Sequence, residues 1–151
     1  MIILYGIANC DTVRKARAWL TGQTINHDFY DFKKCGVPAD RLLAWINAFG
    51  SEKLLNRQGS TWRKLGAAAQ STADSVSSMQ ALMLANPSLI RRPVVEWGGT
   101  GLQITIGFDV QRWSQITSDP ALQVLNDGGG NSNTSSNAGR VAGLPAGSCK
   151  L

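Results

Sequence analysis

The chain has 151 residues, 43% of them hydrophobic, which suits one domain with a single core. Fifteen lysines and arginines against ten acidic residues leave a net charge of +5, spread in ones and twos without a basic run or interleaved aromatics. Nucleic-acid binding is therefore not expected, and no stretch approaches the roughly 20 apolar residues that a membrane span needs.

The N-terminus lacks a basic segment ahead of a long apolar one, so no signal peptide is expected. Cys10, Cys35 and Cys149 form an odd, sparse set with neither a disulfide framework nor zinc-ligand spacing. A reduced, cytoplasmic setting and no metal site follow as expectations.

In chain order, IILYGI reads as a short buried strand. From Thr12 to about Gly22 the residues Val13, Ala16, Ala18, Trp19 and Leu20 fall mostly on one helical face, and Gly22 is a stop signal. INHDFYDF alternates imperfectly with period two, a second strand, and CGVPAD breaks it. RLLAWINAFG predicts a helix ending at Gly50, with Leu42, Leu43, Trp45, Ile46 and Phe49 on its apolar face. SEKLLNRQGSTWRKLG is polar and basic, with a turn at Gln58–Gly59–Ser60. STADSVSSMQALMLANP predicts a further helix with Val76, Met79, Leu82 and Met83 at core spacing, stopped by Asn86–Pro87. A strand follows Pro93, GGTG turns it into LQITIGF, and Asp109 caps a last helix that carries Val110, Trp113 and Ile116 inward. The order is that of an α/β layer fold with a mixed sheet. Beyond Asp119 the chain is mostly Gly, Asn and Ser and cannot bury enough surface to offset its ordering entropy, so residues 119–151 are expected to be disordered.

Cys10 falls where the first strand hands over to the first helix. Unpaired N–H groups and the positive helix end stabilise a thiolate there. Arg14, one turn on, adds positive charge if its side chain folds back, and Asp11 opposes both. A small residue in a tight turn is the plainer reading of the same position. His27, the single histidine, sits on a strand with no sequence link to Cys10, so a Cys–His pair is not expected. Val13 stands three residues after Cys10, so there is no Cys-x-x-Cys. Cys35, in a KKCG loop, is either a resolving thiol or a passive one, and any chemistry at Cys10 would draw on an external thiol. Arg57 lies in the NRQGS turn, and Arg91–Arg92 precede Pro93, where a cis bond would put an arginine into a cleft. Arg57 and Arg92 are either bidentate ligands for an oxyanion or carboxylate, or solvated surface groups. No Gly-rich phosphate loop sits in a βα turn, so no bound cofactor is expected.

YGIANCDTVRKARAWL, NRQGSTWRKL, NPSLIRRPVVEW and IGFDVQRW together resemble the ArsC-type arsenate reductase family of the thioredoxin-like superfamily, in the family's order and from Ile2 to about Ile116. The likeness is greatest to its YffB-like branch, and the Spx transcription regulators share the scaffold. The resemblance implies a thioredoxin-like mixed sheet (β-α-β … β-β-α) over residues 1–118 with a helical insertion over about 36–85. It implies Cys10 as nucleophile, Arg14, Arg57 and Arg92 as substrate-binding residues, and Pro93 as a cis-proline. In that family the cysteine attacks arsenate, glutathione attacks the adduct and glutaredoxin resolves the mixed disulfide. This chain departs from the pattern at Ile106 or Gly107, where a third arginine is absent, at Gly6 in place of a histidine, and at Val13 in place of a serine. The reading favoured is a monomeric single-cysteine thiol reductase that uses glutathione as co-substrate, with glutaredoxin as partner and a small thiol or oxyanion as substrate. A non-catalytic Spx-like regulator that binds RNA polymerase, and a true arsenate reductase, are the alternatives.

Overall fold

The computed structural model describes residues 1–98 and 103–120. The chain runs β1 (Ile2–Gly6), α1 (Asp11–Gly22), β2 (His27–Asp31), α2 (Phe32–Cys35), α3 (Ala39–Phe49), α4 (Ser51–Leu54), α5 (Ser60–Lys64), α6 (Ala67–Ser71) and α7 (Val76–Ala85). A 3-10 turn at Pro87–Leu89, β3 (Val94–Trp97), β4 (Gln103–Ile106) and α8 (Val110–Thr117) follow. Among the described residues the strands form one mixed sheet in the order β2-β1-β3-β4, with β1 parallel to β2 and antiparallel to β3. This is the thioredoxin-like arrangement expected, with the helices from α3 to α7 inserted between β2 and β3.

Period two sorts the strand residues onto two faces. Leu4, Val95 and Trp97 pack with Val13, Ala16 and Leu20 of α1 and with Trp113 and Ile116 of α8. Tyr5 and Val94 face the insertion, where Phe32, Leu42, Trp45, Ile46, Met79 and Met83 close over them. Cys10 packs against both clusters, at the end of the sheet where the two meet. Gly6 lets α1 come close to β1: a Cβ there would stand 2.7 Å from Val13 Cγ2.

Glu96 is a carboxylate in the middle of the sheet, 3% exposed on the insertion face of β3. Tyr5 donates its hydroxyl to Oε2 at 3.1 Å, Trp45 donates Nε1 to Oε1 at 2.8 Å, and Arg41 Nη1 lies 3.7 Å from Oε2. A buried carboxylate is tolerable only with such partners. Burial, followed by the charge of Glu96, raises the Tyr5 pKa, so the phenol keeps the proton it donates.

Several helix residues face other ways than their spacing suggested. Val76, Leu43 and Val110 are 50%, 44% and 47% exposed, and Ala18 is exposed as well. Val76 and Val110 open their helices, and α7 is apolar nearly all round, so its period does not select a face. Leu43 is rotated about 100° from the buried Leu42 by the helical step. The short helix α2 takes the end of the expected second strand and the KKCG loop, and α4, α5 and α6 fill a polar, basic stretch where the sequence offered a turn and at most one further helix. The expected GGTG turn falls mostly on residues 99–102, and both these and the tail beyond 120 with Cys149 lie outside the described residues. Among the described residues, no helix is long and apolar enough to cross a membrane.

Candidate active site

Cys10 is the N-cap of α1, in extended conformation, its amide bonded to the Ile7 carbonyl at 3.0 Å and its carbonyl accepting from Arg14 N at 2.9 Å. The strand thus stops and the helix starts around this one residue. The thiol is free and half-buried. Burial alone would raise its pKa, but the Val13 amide, the hydrogen bonding and charge of Arg92, and the Thr12 amide together hold it below the ordinary thiol value. The amides act on the thiolate without a formed side-chain cap hydrogen bond.

Around the sulfur lies a cleft of about 290 Å³, lined by Cys10 and Thr12 at the start of α1, Asn56 and Gln58 from the insertion, Arg91 and Arg92 ahead of β3, and Ile106 and Gly107 at the end of β4. Three main-chain contacts bring the insertion to it. Leu55 bridges to Ile90, Asn56 N donates to Leu89 O at 2.7 Å, and Arg91 N donates to Leu54 O at 2.8 Å. The loop beyond is shaped by Asn56 Oδ1, which accepts from Gln58 N at 3.2 Å, and by Arg63, which donates Nη2 to Gln58 O at 3.0 Å.

Of the residues singled out in the sequence, Cys10 and Arg92 meet in this cleft. Arg92 donates Nη1 to Pro87 O at 3.3 Å, and its buried Nε has no hydrogen-bond partner among the described residues. The Arg92–Pro93 bond is cis, and Pro93 O accepts from Gly107 N at 2.8 Å, which ties the end of β4 to the cleft floor. Arg14 turns onto Asp11 and does not line the cleft. Bonding and charge from Arg14 hold the Asp11 carboxyl below its usual range, so the carboxylate next to Cys10 is already offset. Arg57 also points elsewhere: it donates Nη2 to Glu52 Oε1 at 2.8 Å and its guanidinium lies 5.2 Å from the centre of the Trp62 ring. Its neighbours Asn56 and Gln58 occupy the cleft wall instead.

His27 contacts Ile25 O through Nδ1 at 3.0 Å, away from these lining residues. Cys35 ends α2 and is disulfide-bonded, while Cys10 is free, so the two are not joined to each other. Among the described residues, no group of three or more His, Cys, Asp or Glu side chains could hold a metal. Thr12, Asn56 and Gln58 were not anticipated as site residues. Their only signal is adjacency to Cys10 and Arg57 within motifs already noted.

The cleft as a whole offers a thiol whose pKa is lowered, a guanidinium beside it, and neutral amide and hydroxyl groups on the walls. Comparison with known proteins places the chain among relatives. A solved structure named as a YFFB protein shares 40% sequence identity, covers 76% of this chain and 97% of its own, and superposes with a TM-score of 0.70. An uncharacterized protein of Haemophilus influenzae is 35% identical over 113 residues, 75% of this chain and 96% of its own length. The global transcriptional regulator Spx of Streptococcus pyogenes is 27% identical over 97 residues, 63% of this chain and 71% of that protein. Residues 5–116 match the ArsC family from the first strand to the last helix, and this chain belongs to that family.

Proposed function

We propose that the chain is a thiol-dependent oxidoreductase working through the single cysteine Cys10, with glutathione as reductant and glutaredoxin as downstream partner. The observation that carries this reading is the free Cys10 thiol in the cleft, its pKa lowered by the Val13 amide, Arg92 and the Thr12 amide. In the forward step the Cys10 thiolate attacks one sulfur of a small disulfide, forms a mixed disulfide and releases the other half as thiolate. Glutathione then attacks the substrate-derived sulfur, restores the Cys10 thiolate and leaves as the new mixed disulfide, which glutaredoxin reduces. A moderately lowered pKa suits both halves, since the sulfur must be nucleophile first and leaving group second. Arg92 would place a negative group beside the sulfur. Arg14 and Arg57 would join it only by leaving Asp11 and Glu52.

Turnover of a small disulfide by glutathione tests the reading. Cys10→Ser is expected to abolish it, and Cys35→Ser to leave it nearly intact. Equal loss in both variants would overturn the one-cysteine scheme. The likeness to Spx favours a second reading, a non-catalytic regulator that binds RNA polymerase. It predicts that a polymerase pull-down survives Cys10→Ser while no disulfide is turned over. True arsenate reduction predicts arsenate-dependent loss of NADPH in an assay coupled through glutathione and glutaredoxin.

A further inference from the structure

The basic excess of this protein is not spread over the fold. Residues 32–92, the insertion and its return to the sheet, carry nine lysines and arginines against three acidic residues, while the rest of the chain carries six against seven. Three of the nine lie at the cleft: Arg92 beside Cys10, and two more whose charge is otherwise unused. Arg91 is exposed and lines it, and exposed Arg63 holds the main-chain carbonyl of Gln58, a lining residue. Neither has an ion-pair partner among the described residues, in contrast to Arg57, which Glu52 neutralises. Among the described residues no carboxylate lines the cleft, and the nearby Asp11 is occupied by Arg14.

We infer that Arg91 and Arg63 make the cleft select disulfides that carry a carboxylate close to the sulfur. This rests on the thiol reading of Cys10 and adds the charge of its substrate. The cleft volume of about 290 Å³ lies at the small end of ligand pockets and admits a small organic disulfide or the tip of a peptide. The wall also includes Ile106 and Gly107, which offer no charge and suit the carbon chain between sulfur and carboxylate. A cleft whose charged side chains are all of one sign also raises the encounter rate of anions. The covalent step is ordinary exchange: Cys10–S⁻ attacks R–S–S–R, giving Cys10–S–S–R and R–S⁻, with no net change in electrons.

The test measures single-turnover exchange of the full chain with three probes: dithiodipropionate (anionic), hydroxyethyl disulfide (neutral) and cystamine (cationic). Each rate is divided by that of 2-mercaptoethanol, a thiol without a second charged group, with the same probe, which removes the intrinsic reactivity of the disulfide. At low salt the normalised rate for the anionic probe should exceed that for the cationic one by about fivefold or more. That advantage should shrink as the salt rises from about 0.01 M to about 1 M. Arg91→Gln should reduce the anionic-to-cationic ratio by about two- to fivefold, the range of an exposed charge interaction, and Arg63→Gln by less. Equal normalised rates for the three probes, or a ratio unmoved by both Arg91→Gln and salt, would overturn the selectivity. If Cys10 exchanges with none of the probes, the thiol reading itself falls.

Discussion

The two faces of the sheet are built by different means. On the α1/α8 face, Trp97, Trp113, Leu4, Val95 and Leu20 are wholly buried, and three aromatic contacts centre on Trp113: Trp97 at 5.1 Å, Phe108 at 4.9 Å and Trp19 at 5.7 Å between ring centroids. Its main side-chain hydrogen bond joins Trp97 Nε1 to Thr105 Oγ1 at 2.9 Å, within the β3–β4 pair. On the insertion face Tyr5, Tyr30, Phe32 and Trp45 form an aromatic cluster, two of whose members, Tyr5 and Trp45, donate to Glu96. There α3 is tied to the sheet by a charge as well as by apolar packing. The first face needs little more than area and shape. The second needs its donors correctly placed, and it is the face whose loops reach Cys10.

Truncation of the dry face should have the largest effect. Trp113→Ala removes a fully buried indole and leaves a cavity between α8 and the sheet, a loss of about 3–5 kcal/mol by denaturant melts. A loss below about 1 kcal/mol would mean that this face collapses freely or is not the rigid one. Glu96→Gln comes next. The amide keeps the size of the side chain but presents two hydrogens among donors from Tyr5, Trp45 and Arg41, so at least one buried group loses its acceptor. A cost of about 1–3 kcal/mol is expected, with altered near-UV dichroism from the aromatic cluster. A neutral result would erase the distinction between the faces. Arg41 is itself partly exposed and 3.7 Å away, so its share of that cost is the smaller one.

What could be read ahead of the structure follows the same division. The apolar run of IILYGI and the 3.6-residue spacing in α1 and α3 placed Leu4, Val13, Leu20, Leu42 and Trp45 in cores, because a short apolar run marks a buried strand and helical periodicity reports which side of a helix is wet. Burial of Glu96 carries no such signal: a carboxylate in VVEW becomes tolerable only through Tyr5, 91 residues away, and Trp45, 51 residues away. The place of Cys10 was legible because a strand–helix junction is a local fact, whereas the Arg92 charge that reaches its sulfur comes from far along the chain. Arg57 was legible as a residue of a motif but not as a direction. Its guanidinium follows Glu52 and Trp62, and no spacing rule says which of several neighbours a long side chain will choose. Asn56 and Gln58 reach the cleft through main-chain bonds to residues 89–91, contacts that leave no trace in residue type.

Gly6 joins the dry face to the site. It lies on β1 beneath the first turn of α1, where Val13 packs, and Val13 also supplies the amide that favours the Cys10 thiolate. Gly6→Ala would bring a methyl within 2.7 Å of Val13 Cγ2, and the β-branched side chain has few rotamers with which to retreat. The helix must then shift outward, at a cost of about 1–2 kcal/mol. Because the sulfur depends on amides at that helix end, the same shift should move the pH midpoint of Cys10 alkylation by iodoacetamide upward, towards an ordinary thiol. The sign follows from linkage: with its folded pKa below the unfolded one, Cys10 adds stability that is present above the ordinary thiol pKa and lost as pH falls through the lowered value. Gly6→Ala should reduce that pH-dependent part of the stability along with the shift in midpoint. Combining Gly6→Ala with Val13→Ala makes room for the methyl, so the pair should cost less than the sum of the two single changes. Additive costs with an unmoved alkylation midpoint would mean that the packing of α1 on β1 and the activation of Cys10 are independent.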